Sequence, residues 1–221
     1  MVRALQRSLG HCGRWLGSLV FPDVCIRCGR QASGQGLCAL CRKEVLNLPL
    51  PVADVPAGIA SLNVGVQLSE PVRELVHGLK YHGQKRNARF LVDLAMAQPH
   101  AFPGSPMLVP VPVHAARRRE RGYNQAHLIA KEWSRRVGYP VLDCLERYRA
   151  TGSQTRLGAD ARRANLEAAL RVKKNFRKDV PLILVDDICT TGATFSACAA
   201  VLLHAGAYEV HGLACAWAPG R

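Results

Sequence analysis

The sequence predicts an α/β protein, a parallel sheet flanked by helices, with a small N-terminal four-cysteine zinc module. Three observations carry this. Leu182 to Val185 is a continuous apolar run, as expected of a strand buried on both faces of a parallel sheet, and two acids, a Thr/Gly turn and an Ala/Leu-rich helical stretch follow it. Met107 to Val113 is a second apolar run that leads into a strongly basic stretch. Near the N-terminus, Cys25-Ile-Arg-Cys28 and Cys38-Ala-Leu-Cys41 form two C-x-x-C pairs nine residues apart. The chain divides accordingly into 1–47 (amphipathic helix and zinc module), 48–58 (linker) and 59–221 (main domain).

In chain order, Leu5, Leu9, Cys12, Leu16 and Leu19 share one helical face, with Arg3, Arg7 and Arg14 outside it. The pattern predicts an amphipathic helix, and its basic residues interrupt any signal-peptide core. Four thiolates in two knuckles suit a closed tetrahedral structural zinc site, with Gly29, Gly34 and Gly36 available for its turns. Redox pairs are the rival reading. Leu48 to Pro56 is proline-rich and reads as linker. Ala60 to Leu68 suits an edge strand, Glu70 to Leu79 a helix with Val72, Leu75, Val76 and Leu79 on its apolar side, and Arg89 to Met96 a further helix after a basic turn, Lys80 to Arg89. Pro110 and Pro112 mark the end of the Met107 strand, because proline cannot serve a central ladder. The basic run from Arg117 turns into a helix from Gln125 to Val137. Leu145 to Ala168 is polar and lacks periodicity; it reads as a surface excursion or as a lid that excludes water. Phe195 to Ala205 is helical with Gly206 as terminator, and Tyr208 to Trp217 is the last strand.

The 221 residues are 48% hydrophobic and 21% charged, the composition of a globular chain. Thirty Lys and Arg against sixteen Asp and Glu give a net charge of +14, which favours polyanions, either nucleic acid or a substrate with several phosphates. Nine cysteines make an odd count that suits metal binding in the cytoplasm better than a secreted disulfide scaffold. Cys12, Cys144, Cys198 and Cys215 fall in apolar or helical patterns and read as packing residues. No stretch approaches the ~20 apolar residues that span a bilayer.

The chemistry concentrates at Asp186 to Thr194. Open α/β sheets place ligands at the C-terminal ends of their strands, where Asp186 and Asp187 stand. Thr190, Thr191, Gly192, Ala193 and Thr194 then lead into a helix, whose unpaired N–H groups and positive dipole end suit a phosphate. Carboxylates repel a phosphate, so the acids need another task, and the vicinal hydroxyls of a ribose beside a magnesium ion supply it. The ligand inferred is a ribose 5-phosphate. Neither G-x-x-x-x-G-K-[ST] nor a G-x-G-x-x-G opening a helix after a strand occurs. The basic run follows the second strand at the same sheet edge, where its cations could meet a polyphosphate leaving group.

Leu182 to Thr194 resembles the signature of type I phosphoribosyltransferases for 5-phosphoribosyl 1-pyrophosphate (PRPP). Together with the four-cysteine module, Val109-Pro-Val-Pro-Val-His114, Arg121-Gly-Tyr-Asn-Gln125 and Thr151-Gly-Ser-Gln154, it is similar to the ComF (competence protein F) family over nearly the whole chain from Cys25. The resemblance implies a type I phosphoribosyltransferase-like sheet with a hood or lid. Asp186 and Asp187 would bind the ribose hydroxyls, directly or through magnesium, and Thr190 to Thr194 the 5-phosphate. The stretch after Pro112, with Arg117, Arg121, Asn124 and Gln125, would be the pyrophosphate loop, and the Arg147 to Asn165 region, with Arg162, the flexible loop. It further implies a glycosyltransferase, or a sensor of PRPP, linked to DNA uptake in natural transformation. The alternative is a non-catalytic protein that handles single-stranded DNA, or serves a DNA-processing protein, with a regulatory or vestigial PRPP pocket. No membrane span is expected, and a homodimer stays open.

Overall fold

In a computed structural model of the chain, the described residues are 24–32, 34, 36–50, 54–100, 102, 104–149 and 165–218. The N-terminal amphipathic helix expected before Cys25 lies outside them, as do Thr151, Gln154 and Arg162. Two compact units emerge, Met1–Glu44 and Val45–Arg221.

In the first unit an antiparallel bridge, Val24 with Gln31, closes a tight turn around the first cysteine pair. Gly29, Gly34 and Gly36 all carry positive φ there, which L side chains resist. Helix α1 (Ala39–Leu46) starts directly after Cys38, so the second cysteine pair sits on a helix's first turn.

The second unit is built on four parallel strands, β1 (Leu62–Gln67), β2 (Met107–Pro110), β5 (Leu182–Cys189) and β6 (Val210–Trp217), in the order β1-β6-β5-β2. All four C-terminal ends therefore share one edge. The strand expected at Ala60 to Leu68 is the edge strand β1. The Met107 strand stops at Pro110, and the ladder shows why proline is tolerated. Leu108 turns its N–H outward to the Pro140 carbonyl, whereas Met107 donates to Pro181, just before β5, and Val111 to Val185 within it. By alternation the donor that Pro110 lacks falls on the outer side, where, among the described residues, β2 meets a single bridge at Val141.

Helices α2 (Glu70–Tyr81), α3 (Asn87–Ala95) and α5 (Gln125–Val137) pack together, with α3 against β1 and β6 and α5 against β2 and β5; α6 (Ala193–His204) packs on β5, β6 and β4. Buried Asn87 donates to the Leu75 carbonyl at 3.0 Å and ties α3 to α2. Arg136 on α5 reaches Asp93 on α3 through Nε at 3.1 Å and a second nitrogen at 2.5 Å. In β5, Leu182 and Leu184 join a cluster with Phe195, Cys198 and Leu202 of α6. Ile183 and Val185 therefore point to the opposite face. Cys144, Cys198 and Cys215 are buried, as the sequence pattern implied, and burial pushes the Cys144 thiol up to about 12.

Two findings correct the sequence reading. The basic run is not a loop leading into a helix: Ala115–Arg121 is itself a short helix, α4, closed by Gly122 at φ 81°. The region from Leu145 to Ala168 does not begin as irregular chain either. Leu145–Arg147 is a strand, β3, paired antiparallel with β4 (Leu170–Val172). Three-residue strands carry too little alternation for a sequence pattern to reveal them.

Candidate functional site

Asp186 and Asp187 lie within β5 just past Val185, the last residue that pairs with β2. Alternation along the strand sends Asp186 with Leu184 towards α6 and Asp187 with Val185 towards the face carrying α2. Both are buried, at 9% and 2% exposure. The Asp187 N–H donates to Asp186 Oδ1 at 2.8 Å, and Lys80 Nζ, from the last turn of α2, sits 2.5 Å from Asp187 Oδ2. Burial, then the neighbouring Asp187 charge, raises the Asp186 carboxyl well above the usual carboxylate range, with Lys80 opposing. Burial works against the Lys80 charge, but the attraction of Asp187 and Asp186 outweighs it and holds the ammonium above its ordinary value. Asp187 and Lys80 thus form a buried ion pair, and Asp186 beside them is ionised only at a cost.

The turn after β5 leaves Thr190 and Thr191 exposed and ends at Gly192, which caps α6 with φ 72°. A Cβ at Gly192 would lie 2.4 Å from Cγ of Pro56, so the glycine is required by conformation and by contact. Thr191 Oγ1 accepts weakly from Ala193 N–H at 3.5 Å, and Gly192 contributes no side-chain cap, so the first turn of α6 presents its N–H groups at the sheet edge. Pro56, from the segment read as linker, is thus part of the wall behind this turn.

The block Arg121 to Gln125 is largely occupied with structure. The Tyr123 hydroxyl donates to the Leu79 carbonyl at 2.5 Å. Asn124 caps α5 by accepting from Ala126 N–H at 3.0 Å and donates to the Val111 carbonyl at 3.0 Å. Arg121 donates to Gln125 and lies over the Tyr81 ring, 5.7 Å from its centroid. Two cavities flank α4. One, of about 250 Å³, is walled by Lys80, Tyr81, Gly83, Arg117, Glu120 and Arg121. The other, of about 340 Å³, includes Arg118, Asn124, His127, Lys131, Arg147 and Lys173 in its walls. Arg147 and Asn124 therefore meet in a different cavity from Arg117 and Arg121. The sequence reading placed Lys80 and Tyr81 in the basic turn after the helix and gave Lys80 no contact with the acids; the structure carries α2 through both, and a basic residue at a helix end usually serves the helix dipole.

In the N-terminal unit the four sulfurs of Cys25, Cys28, Cys38 and Cys41 all lie within 4.8 Å of one another. Cys28 lies 3.7 Å from Cys38 and 3.6 Å from Cys41. A tetrahedral zinc with ~2.3 Å bonds places its sulfurs ~3.8 Å apart, whereas a disulfide needs ~2.05 Å. Burial raises the Cys25 thiol, but backbone N–H groups of Cys38, Cys28 and Arg27 aimed at its sulfur prevail and bring it to about 6. Burial, then the other thiols, pushes Cys41 up to about 12. The cluster could hold a zinc ion through four thiolates.

The electrostatics of the acidic pair yield a stability prediction. The folded chain keeps its proton on Asp186 to higher pH than the unfolded chain, so this residue's contribution to stability falls as pH rises above the ordinary value near ~4. Without divalent cations, Asp186→Asn should therefore be more stable than the parent to urea at about pH 8, by on the order of 1–3 kcal/mol, and equal to it near about pH 4. A variant less stable at the higher pH would contradict the strained carboxylate.

No family model matches the chain. Curated relatives do. DNA utilization protein YhgH of Salmonella typhi is 29% identical over 218 residues, 87% of this chain and 96% of the relative. Competence protein F of Haemophilus influenzae is 29% identical over 86% of this chain and 95% of its own length. Competence protein ComFC of Bacillus subtilis is 28% identical over 83% of this chain and 72% of its own length. Over most of its length the chain is thus similar to proteins described as competence protein F, ComFC and DNA utilization protein YhgH.

Proposed function

We propose that this chain binds PRPP and transfers its ribose 5-phosphate to a nitrogen acceptor, or senses PRPP, in the handling of DNA taken up during natural transformation. The observation that carries the reading is the buried Asp186–Asp187 pair at the C-terminal end of a central parallel strand, followed directly by a glycine-capped helix start. Relatives described as competence and DNA utilization proteins support the biological setting.

Each residue's task follows from its chemistry. The ribose 2- and 3-hydroxyls donate to Asp186 and Asp187. The 5-phosphate accepts from the N–H groups at the start of α6 and from the hydroxyls of Thr190, Thr191 and Thr194, with Gly192 and Ala193 leaving room for it. Arg117 and Arg121 face the diphosphate, whereas Asn124 and Gln125 hold the α4–α5 junction that places them. Arg147, in the larger cavity, and Arg162, outside the described residues, are the cations proposed for the covering loop. A magnesium ion held at the acidic pair would neutralise charge on the diphosphate. In transfer, the acceptor's nitrogen lone pair forms a bond to C1 as the C1–O bond breaks. The electron pair leaves with pyrophosphate and the acceptor's proton passes to water. Positive charge develops at C1, and fixed charges around the departing group are worth most there.

The second reading rests on a different observation. Tyr81 is 62% exposed, with His77 at 4.7 Å and the Arg121 guanidinium over its ring. An exposed ring among cations suits the base and backbone of a single strand. In calorimetry with PRPP and magnesium, the first reading expects binding by the parent and a loss of at least ~100-fold in Asp186→Asn/Asp187→Asn, since charge-assisted bonds to both hydroxyls go. No binding by the parent, together with a salt-steep affinity for an oligothymidine, would favour the second.

The N-terminal unit, residues 1–47 joined by the linker 48–58 to the domain 59–221, is proposed to carry one structural zinc. The purified chain should contain one zinc per molecule, and Cys38→Ser/Cys41→Ser should lose it and expose the unit to proteolysis. Full metal content in that variant would show that the sulfur cluster serves something else.

A further inference from the structure

Of the two cavities beside α4, only the smaller shares a residue with the acidic pair. That residue is Lys80, whose ammonium contacts Asp187 while its side chain also walls the cavity of Arg117 and Arg121. Lys80 is only 23% exposed, and Asp187 3% at its side chain. The sequence signature contains neither Lys80 nor any residue of α2. Yet α2 is held firmly at this spot: the Leu79 carbonyl beside Lys80 accepts from buried Tyr123, which stands between α4 and α5. The helix end, the basic helix and the acidic strand end are thereby brought to one place.

We propose that Lys80 is a further ligand-binding residue that exchanges partners. It neutralises Asp187 in the arrangement described here, and it turns to the diphosphate in the Arg117/Arg121 cavity when ribose hydroxyls and a divalent cation take over the carboxylates. This rests on the PRPP reading of the acidic pair and adds to it the location and composition of the diphosphate subsite. The charges favour the exchange. With a divalent cation at Asp186 and Asp187, an ammonium at 2.5 Å becomes a repelled neighbour. A swing about its own flexible stem carries it into a cavity that holds Arg121 and the exposed Arg117–Glu120 pair, 3.0 Å apart, where a diphosphate competes with Glu120 for the guanidiniums. The larger cavity is a poorer diphosphate site because its walls share nothing with the acidic pair.

The test compares the full chain with Lys80→Met and Arg117→Ala in calorimetric titrations with PRPP, inorganic pyrophosphate and ribose 5-phosphate, each with magnesium. Both variants should bind pyrophosphate at least ~10-fold more weakly, the loss of one charge-assisted contact, and ribose 5-phosphate within ~3-fold of the parent. Without sugar, Lys80→Met should bind Mn²⁺ more tightly than the parent, by roughly 5-fold or more in spin-resonance titration, because the competing ammonium is gone. A parent that binds neither PRPP nor ribose 5-phosphate removes the underlying site reading. A parent that binds PRPP, with a Lys80→Met variant that matches it for pyrophosphate or for Mn²⁺, overturns the exchange alone. If Lys80→Met fails to fold because Asp187 loses its cation, Lys80→Gln, which keeps a hydrogen-bond donor to Asp187 without the charge, takes its place in both titrations.

Discussion

Two carboxylates on consecutive residues, held nearly out of water at the end of a parallel strand, are a costly arrangement, and one lysine from a distant helix makes it tolerable. Much of the domain's architecture serves that contact. The register of β5 between β6 and β2 puts Asp186 and Asp187 beyond the last β2 pair. Helix α2 must end where Lys80 reaches them, and the Tyr123 hydroxyl bond to Leu79 fixes that end. Asn124 anchors the next helix while tying back to Val111 beside β2. A strained carboxyl is thereby built into the fold and kept beside a cavity rich in cations. Apolar packing alone would favour neither feature, which marks this edge of the sheet as a candidate functional site.

The phosphate-type turn shows the same economy at smaller scale. Gly192 turns the chain left-handed from β5 into α6, and Pro56 presses so close that no other residue fits. The adjoining threonines stay exposed, with their hydroxyls directed by the turn and not by the core. In the N-terminal unit the same principle appears in sulfur chemistry. Positive-φ glycines and the first turn of α1 bring four thiols to tetrahedral spacing.

What could be read from the chain beforehand was whatever lay close together in it. Leu182 to Thr194 places strand, acids, turn and helix within one short window, and the cysteine knuckles are equally local. Asp186, Asp187, Gly192 and the four cysteines were therefore legible by residue type and spacing. Lys80 was not, because its partner lies more than a hundred residues away in sequence and nothing local distinguishes it from a helix-terminal lysine. The Arg121 to Gln125 block shows a second, structural use of such residues. Its polar residues read as ligand contacts, yet Asn124 and Gln125 hold bonds within the fold. The ribbon of β3 and β4 escaped notice because its strands are too short to show alternation and their pairing spans a long excursion.

The most direct measurement is a crystal structure of the protein with PRPP and magnesium. It should show the ribose hydroxyls on Asp186 and Asp187, the 5-phosphate on the Thr190 to Thr194 turn, and the diphosphate towards Arg117 and Arg121. A 5-phosphate found instead in the cavity of Arg147 and Lys173, with the acidic pair still bound only to Lys80, would contradict the assignment of this edge of the sheet as the PRPP site.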